Sequence, residues 1–200
     1  DNQAKDTDNS LVDFTAGTPT PGVLFLTMAT YGIPLQPILG WNFISFPLLA
    51  SGSPLSVLND MGGGTTWSVV KWYDRQSPSD PWKTYRVGST VNDLTNIDNT
   101  KGFWVYITNL GGDSLLTVQG FAPVTTVINL YTGWNLVSYP SATLRAGNVA
   151  LSGTSADKIA YYQVASPYIA DTSNLASVNM QQGKAYWVHV TSNCVWTVTY

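Results

Sequence analysis

The octapeptide Gly40-Trp41-Asn42-Phe43-Ile44-Ser45-Phe46-Pro47 returns later in the chain as Gly133-Trp134-Asn135-Leu136-Val137-Ser138-Tyr139-Pro140. A second pair follows in the same order: Lys101-Gly102-Phe103-Trp104-Val105-Tyr106-Ile107-Thr108 against Lys184-Ala185-Tyr186-Trp187-Val188-His189-Val190-Thr191. Whatever one copy folds into, the other must fold into as well. Weaker matches fill the gaps: Val69–Tyr73 against Ile159–Gln163, Leu94 against Leu175, and Leu116-Thr117-Val118 against Trp196-Thr197-Val198. The chain therefore divides into unit one, residues 34–120, and unit two, residues 121–200, behind an extension of residues 1–33.

Composition decides what each unit is made of. All twelve acidic residues are Asp, with no Glu, and charged residues are only 10% of the 200. Glu and Lys normally fill exposed helix faces, whereas the abundant Thr, Val, Tyr and Trp suit a pleated, half-buried strand. Short alternating runs separated by Gly, Pro, Asn, Asp and Ser give about six strands per unit. In unit one they fall near Pro34–Leu39, Trp41–Phe46, Trp67–Asp74, Tyr85–Val87 with Val91–Ile97, Phe103–Thr108 and Leu115–Val118. The expected fold class is all-β: two tandem immunoglobulin-like β-sandwich domains preceded by an extended N-terminal strand.

Period-two alternation assigns the faces. Phe103, Val105 and Ile107, like Tyr186, Val188 and Val190, point into the core, which leaves Trp104, Tyr106, Trp187 and His189 on the opposite face. The only His thus stands where the other copy has Tyr, an argument against a general-base role. In the Trp-Asn strand Trp41 and Phe43 point one way and Ile44 and Phe46 the other, so the strand is covered on both sides. The repeated Trp41, Trp134, Trp104 and Trp187 read as repeat core. Trp67, Trp82, Trp104 and Trp187 are also candidates for stacking on sugars.

The extension is surplus to both units. It starts polar, contains Leu11, Val12 and Phe14, turns through Gly17–Gly22 and continues as Val23-Leu24-Phe25-Leu26-Thr27-Met28-Ala29-Thr30-Tyr31. That uncharged, Pro-free run needs a partner for its amides and its side chains. It could fold back on its own unit or be lent to the next molecule; head-to-tail lending that does not close on itself makes a filament. Val23, Leu24, Phe25, Leu26, Thr27, Met28 and Ala29 form the candidate assembly strand, and Leu11, Val12 and Phe14 a second candidate donated segment.

The repeated Gly-Trp-Asn and Lys-Gly-aromatic-Trp motifs over residues 34–200 resemble a tandem module of secreted prokaryotic surface proteins. The resemblance implies immunoglobulin-like sandwiches, and two in tandem behind an N-terminal strand are similar to extracellular fibril subunits built by strand donation. It brings no catalytic residues. The sequence departs from the module at Gly102, which becomes Ala185, and at the longer stretch Gly62–Val87, whose Ser77-Pro78-Ser79-Asp80-Pro81-Trp82 reads as a contact loop.

Other chemistries find little footing. Nine Lys and Arg and a net charge of −3 supply no cationic stripe for nucleic acid. One Cys and one His make no zinc site, no cofactor motif occurs, and the longest apolar run is far too short to span a membrane. The cluster Asn92, Asp93, Asn96, Asp98 and Asn99 has oxygens for a cation but lies on an expected strand, and Asp98 becomes Asn179 in the repeat. No Asn-x-Ser/Thr sequon is present, so attached sugars would be O-linked, with Thr7, Ser10, Thr15, Thr18, Thr20 and Ser77–Asp80 as hosts. The sequence leads to three expectations: no enzymatic activity, an extracellular location, and a head-to-tail homopolymer; the alternative is a monomeric carbohydrate-binding module.

Overall fold

The computed structural model describes residues 28–36, 39–60, 63–163, 165 and 168–200. The first half contains strands β1 (Met28–Pro34), β2 (Gly40–Ser45), β3 (Thr65–Tyr73), β4 (Trp82–Arg86), β5 (Gly102–Leu110) and β6 (Leu115–Phe121), with a one-turn helix α1 (Pro54–Val57) between β2 and β3. The second half contains β7 (Thr125–Leu130), β8 (Gly133–Ser138), β9 (Arg145–Ala146), helix α2 (Gly147–Ala150), β10 (Ala156–Tyr162), β11 (Ile169–Thr172), a 3-10 turn at Leu175–Ser177, β12 (Asn179–Met180), β13 (Ala185–Val190) and β14 (Cys194–Thr199). The chain is all-β, as its Thr, Val and aromatic content requires.

Each half pairs a four-stranded antiparallel sheet with a two-stranded one. The order β2-β5-β3-β4 opposite β1-β6 is repeated as β8-β13-β10-β11 opposite β7-β14, and β9 pairs with β12 at the side. Between the layers of the first half lie Ile33, Ile44, Phe46, Val70, Phe103, Val105, Ile107, Leu116 and Val118. Their counterparts Ile128, Val137, Tyr139, Ile159, Tyr186, Val188, Val190, Trp196 and Val198 fill the second. The architecture is sandwich-like. Alternation assigns these faces correctly: Phe103, Val105 and Ile107 are fully buried, and Ile44 and Phe46 join them.

Three strand expectations need correction. The opening strand placed at Pro34–Leu39 is found at Met28–Pro34, paired along its whole length with Leu115–Phe121. Ala29, Tyr31 and Ile33 pack on the first core, and Pro34, which has no N–H, closes the strand on its outward side. The described fold of the first half thus starts upstream of residue 34, and Met28 and Ala29, expected to belong to a lent strand, are laddered within their own chain. Val23, Leu24, Phe25, Leu26 and Thr27, like Leu11, Val12 and Phe14, lie outside the described residues.

The strand expected over Val91–Ile97 is irregular chain. Asp93 Oδ1 accepts from Thr84 N at 2.6 Å and Asn92 Oδ1 from Arg86 N at 2.8 Å, so these side chains, together with the Asp93 and Leu94 amides on Thr84 O, finish the outer edge of β4 in place of a regular strand. The third correction concerns the repeat itself. Val70 stands opposite Val105 and Ile159 opposite Val188, so Val69–Tyr73 corresponds to Lys158–Tyr162, one residue away from the match read from sequence. Both segments begin with an apolar pair, and only the ladder fixes which residue faces the core.

Candidate functional site: an aromatic seam and the sheet edges

The two halves meet through the outer faces of their four-stranded sheets, and equivalent serines bond across the join. Ser45 N donates to Gly183 O at 2.8 Å and Ser45 Oγ to Lys184 O at 2.9 Å. Ser138 N donates to Thr100 O, the counterpart of Gly183, at 3.1 Å, while Ser138 Oγ takes a different carbonyl, Asn99 O, on the other side of that residue. The repeated serine is therefore a clasp on the other half, fixed by the turn that precedes the repeated lysine. Phe43, its counterpart Leu136, and Ala185 form a third, smaller core at this seam. At Phe43 and Leu136 the outward face of the Trp-Asn strand is covered by the neighbouring half, while Trp41 stays exposed.

Aromatic rings continue the relation. Tyr73 meets Trp187 edge-to-face at 5.1 Å between centroids, and Tyr162 meets Trp104 at 5.7 Å in the same manner. Tyr73 and Tyr162 are equivalent, as are Trp104 and Trp187, so each half offers its tyrosine to the other's tryptophan. Edge-to-face pairs of this kind each contribute about 0.5–1.5 kcal/mol beyond burial. Trp72 Nε1 also reaches Leu136 O at 3.3 Å, and Arg75 Nε reaches Thr132 O at 2.9 Å.

Beside the seam the aromatic residues stay open to solvent. Trp41, Lys71, Trp82, Trp104, Tyr162 and Tyr168 line a shallow groove of about 650 Å³. Tyr73, Trp134, Ala160, Ile169, Asp171 and Trp187 line a smaller one of about 390 Å³. The two share the repeat's symmetry at Trp41/Trp134, Trp104/Trp187 and Tyr162/Tyr73, while Lys71 and Trp82 of the larger groove are replaced by Ala160 and Ile169, and Tyr168 and Asp171 have no counterpart in the other groove. Lys71 Nζ lies 5.9 Å over Trp41, and Trp82 stands 40% exposed. The four tryptophans read as repeat core belong to neither sandwich core: Trp104 and Trp187 support the seam, and Trp41 and Trp134 wall the grooves.

The other sequence candidates separate. Trp67 is tied down by its Nε1 bond to Leu58 O at 2.9 Å and packs on the first core, away from the groove. Trp82 does reach the groove as the first residue of β4, and the loop before it, Asp74–Pro81, is the β3–β4 turn. His189 bonds Asp157 at 2.5 Å and meets the edge of Trp134. Asp98 is taken up by Thr100 and Lys101. Burial pushes the Asp98 carboxyl up, but the Lys101 ammonium and the Thr100 hydroxyl outweigh it, and the group sits below its ordinary range. Among the described residues no cluster of His, Cys and Asp is placed to hold a metal ion, and no helix is long and apolar enough to cross a membrane.

Sheet edges are the remaining sites of unspent bonding. In the first half Leu35 N bonds Ser114 O, so by alternation Leu115, Thr117, Gln119 and Phe121 turn their backbone groups away from β1. That outer edge is largely closed. Thr117 N donates to Asp60 Oδ1 at 2.9 Å, Leu115 N to Asp113 Oδ1 at 3.1 Å, Thr65 Oγ1 bonds Leu115 O, and Phe121 exchanges two bonds with Leu49. In the second half Tyr200 N bonds Val124 O, which turns Val195, Thr197 and Thr199 outward from β7. Among the described residues nothing bonds those groups. The sequence explains the difference: Asp60 stands in the link between Leu58 and Thr65, while the corresponding link from Leu151 to Thr154 is only Ser152 and Gly153. Motif spacing gave no sign of this.

Comparison of the chain with protein-family models, with curated proteins and with solved structures gives no match.

Proposed function

We propose that the protein is the structural subunit of an extracellular fibril: two immunoglobulin-like sandwiches that polymerise head to tail, each lending the segment ahead of β1 to a neighbour. One observation carries this reading. The apolar run Val23–Tyr31 outlasts its ladder: Met28 opposes Phe121, the last residue of β6, beyond which the chain passes through Ala122 and Pro123 into β7. A strand continued in line ahead of Met28 would run past the end of β6. The amides and side chains of residues 23–27 then need a partner elsewhere, and leaving them bare would invite uncontrolled pairing. The tie between halves supports the reading too, because Tyr31 of β1 donates to Gln182 O of the second half at 3.0 Å, anchoring the root of the segment on both.

The test is removal of residues 1–27, which leaves β1 intact. The shortened chain is expected to be a folded monomer by light scattering and circular dichroism, while the full chain forms filaments visible by electron microscopy. Filaments of ordinary length from the shortened chain would overturn lending.

The aromatic groove favours a second reading, a monomeric carbohydrate-binding module, because Trp82, Trp104 and Trp187 come together at the seam and ring faces stack on sugars. Binding to a glycan array that Trp82→Ala abolishes, from a chain that stays monomeric, would favour it. O-linked sugars on Ser77–Asp80, an outward turn, fit either reading.

A further inference from the structure

We infer that the acceptor of the lent segment is the outer edge of β14, and that its occupant is Val23–Thr27 of a second copy; the inference rests on the fibril reading above. Four strand edges border the two-stranded sheets. β1 and β7 each have the opposite half beside them, which hinders a further strand from lying along their edges. Tyr31 is bonded to Gln182 O, Thr126 accepts from Asn99 Nδ2 at 2.8 Å, and Val127–Asn129 share a crevice with Asp74–Gln76. The edge of β6 is closed by Asp60, Asp113, Thr65 and Leu49. Among the described residues β14 has neither such a neighbour nor a bond to the outward N–H and C=O groups of Val195, Thr197 and Thr199.

Size and polarity match the occupant. β14 is six residues long, about 20 Å, and five extended residues span about 16 Å. A strand laid there widens β7-β14 from two strands to three. One of its faces meets the rim of the second core near Trp196 and Val198, and the other lies beside Val195, 56% exposed at the solvent side. Val23-Leu24-Phe25-Leu26-Thr27 has apolar side chains for both, with Leu24 and Leu26 on one face and Val23 and Phe25 on the other. No charge is carried by the segment or by β14, so nothing opposes the contact.

The closed edge of β6 shows how β14 could be closed within one chain, and that gives the experiment. In the full chain, Thr197→Pro removes an outward N–H at a position where an edge strand accepts proline. A second variant inserts Asn59–Gly64 between Ser152 and Gly153, supplying an Asp in the place of Asp60. Both are expected to remain folded and to raise the concentration needed for assembly by about tenfold or more, as the loss of one to several backbone bonds implies. If Thr197→Pro fails to fold, the insertion variant decides. Filaments that form normally from the insertion variant and from folded Thr197→Pro overturn β14 as acceptor while leaving strand lending standing. A full-length wild-type chain that remains monomeric at every concentration overturns lending itself and returns the segment to its own chain.

Discussion

Gly102 lies directly against Ala185, its own counterpart in the repeat. A Cβ built on Gly102 would come within 2.7 Å of Ala185 Cβ and 2.6 Å of Val137 O. The departure from strict repetition is therefore a steric necessity: two methyl groups cannot share this point. Gly102→Ala is expected to destabilise by about 1–3 kcal/mol, the usual cost of overfilling a packed site. Gly102→Ala with Ala185→Gly should recover only part of that, because the Val137 carbonyl cannot be trimmed. Urea melts of the three proteins check it.

Phe43, 4.5 Å from Trp104, is the largest apolar side chain of the seam core. Phe43→Ala is expected to cost about 3–5 kcal/mol and Leu136→Ala about 2–5. Both touch the seam rather than a sandwich interior, so the loss should fall on the coupling of the halves. Protease cleavage in the connection Ala122–Val124 should accelerate before near-ultraviolet circular dichroism of either core is lost. Cleavage unchanged in both variants would place the seam's contribution elsewhere.

Asp98 makes stability depend on pH. Its carboxyl is held below its ordinary value, so the folded chain binds the proton more weakly than the unfolded chain. The contribution is complete above the unfolded value of about 4 and is lost as pH falls through the lower folded value. Asp98→Asn should therefore be less stable than wild type at pH 7, with the gap closing toward pH 2. Urea midpoints for both proteins across that range measure it.

Asp60 gathers three backbone donors, Gly63 and Thr65 on one oxygen and Thr117 on the other. Asp60→Ala is expected to cost about 1–3 kcal/mol, because buried or half-buried donors lose their acceptor. The amide of Thr117 should then exchange with deuterium much faster, approaching the rate at Thr197 in chains without a neighbour. Exchange mapped by mass spectrometry distinguishes this from a global loss of stability, which would speed every amide of β6 alike.

These relations were legible in the sequence to different depths. The strand faces were, since Phe103-Trp104-Val105-Tyr106-Ile107 states its alternation outright and burial follows it. The double covering of the Trp-Asn strand was legible at Phe43 but not at Trp41, which is exposed, and the identity of the cover was not legible. The matching seam depends on outward residues of one half meeting outward residues of the other, a pairing that no periodicity encodes. The opening strand was misplaced because Leu35, Ile38 and Leu39 after Pro34 mimic a strand start, while Met28–Ile33 look like the tail of the run before them. The closure of β6 was invisible for a further reason: it depends on one carboxylate in a link whose path only the fold reveals.

Asp60 on one side and the bare Ser152-Gly153 on the other give an otherwise twinned body two unlike ends. Twins with both margins available would join in either orientation and branch, and twins with both shut would never join. On the proposed strand lending, shutting a single margin would leave growth one sense of travel, and the polarity of the thread would trace back to a few residues missing from one link.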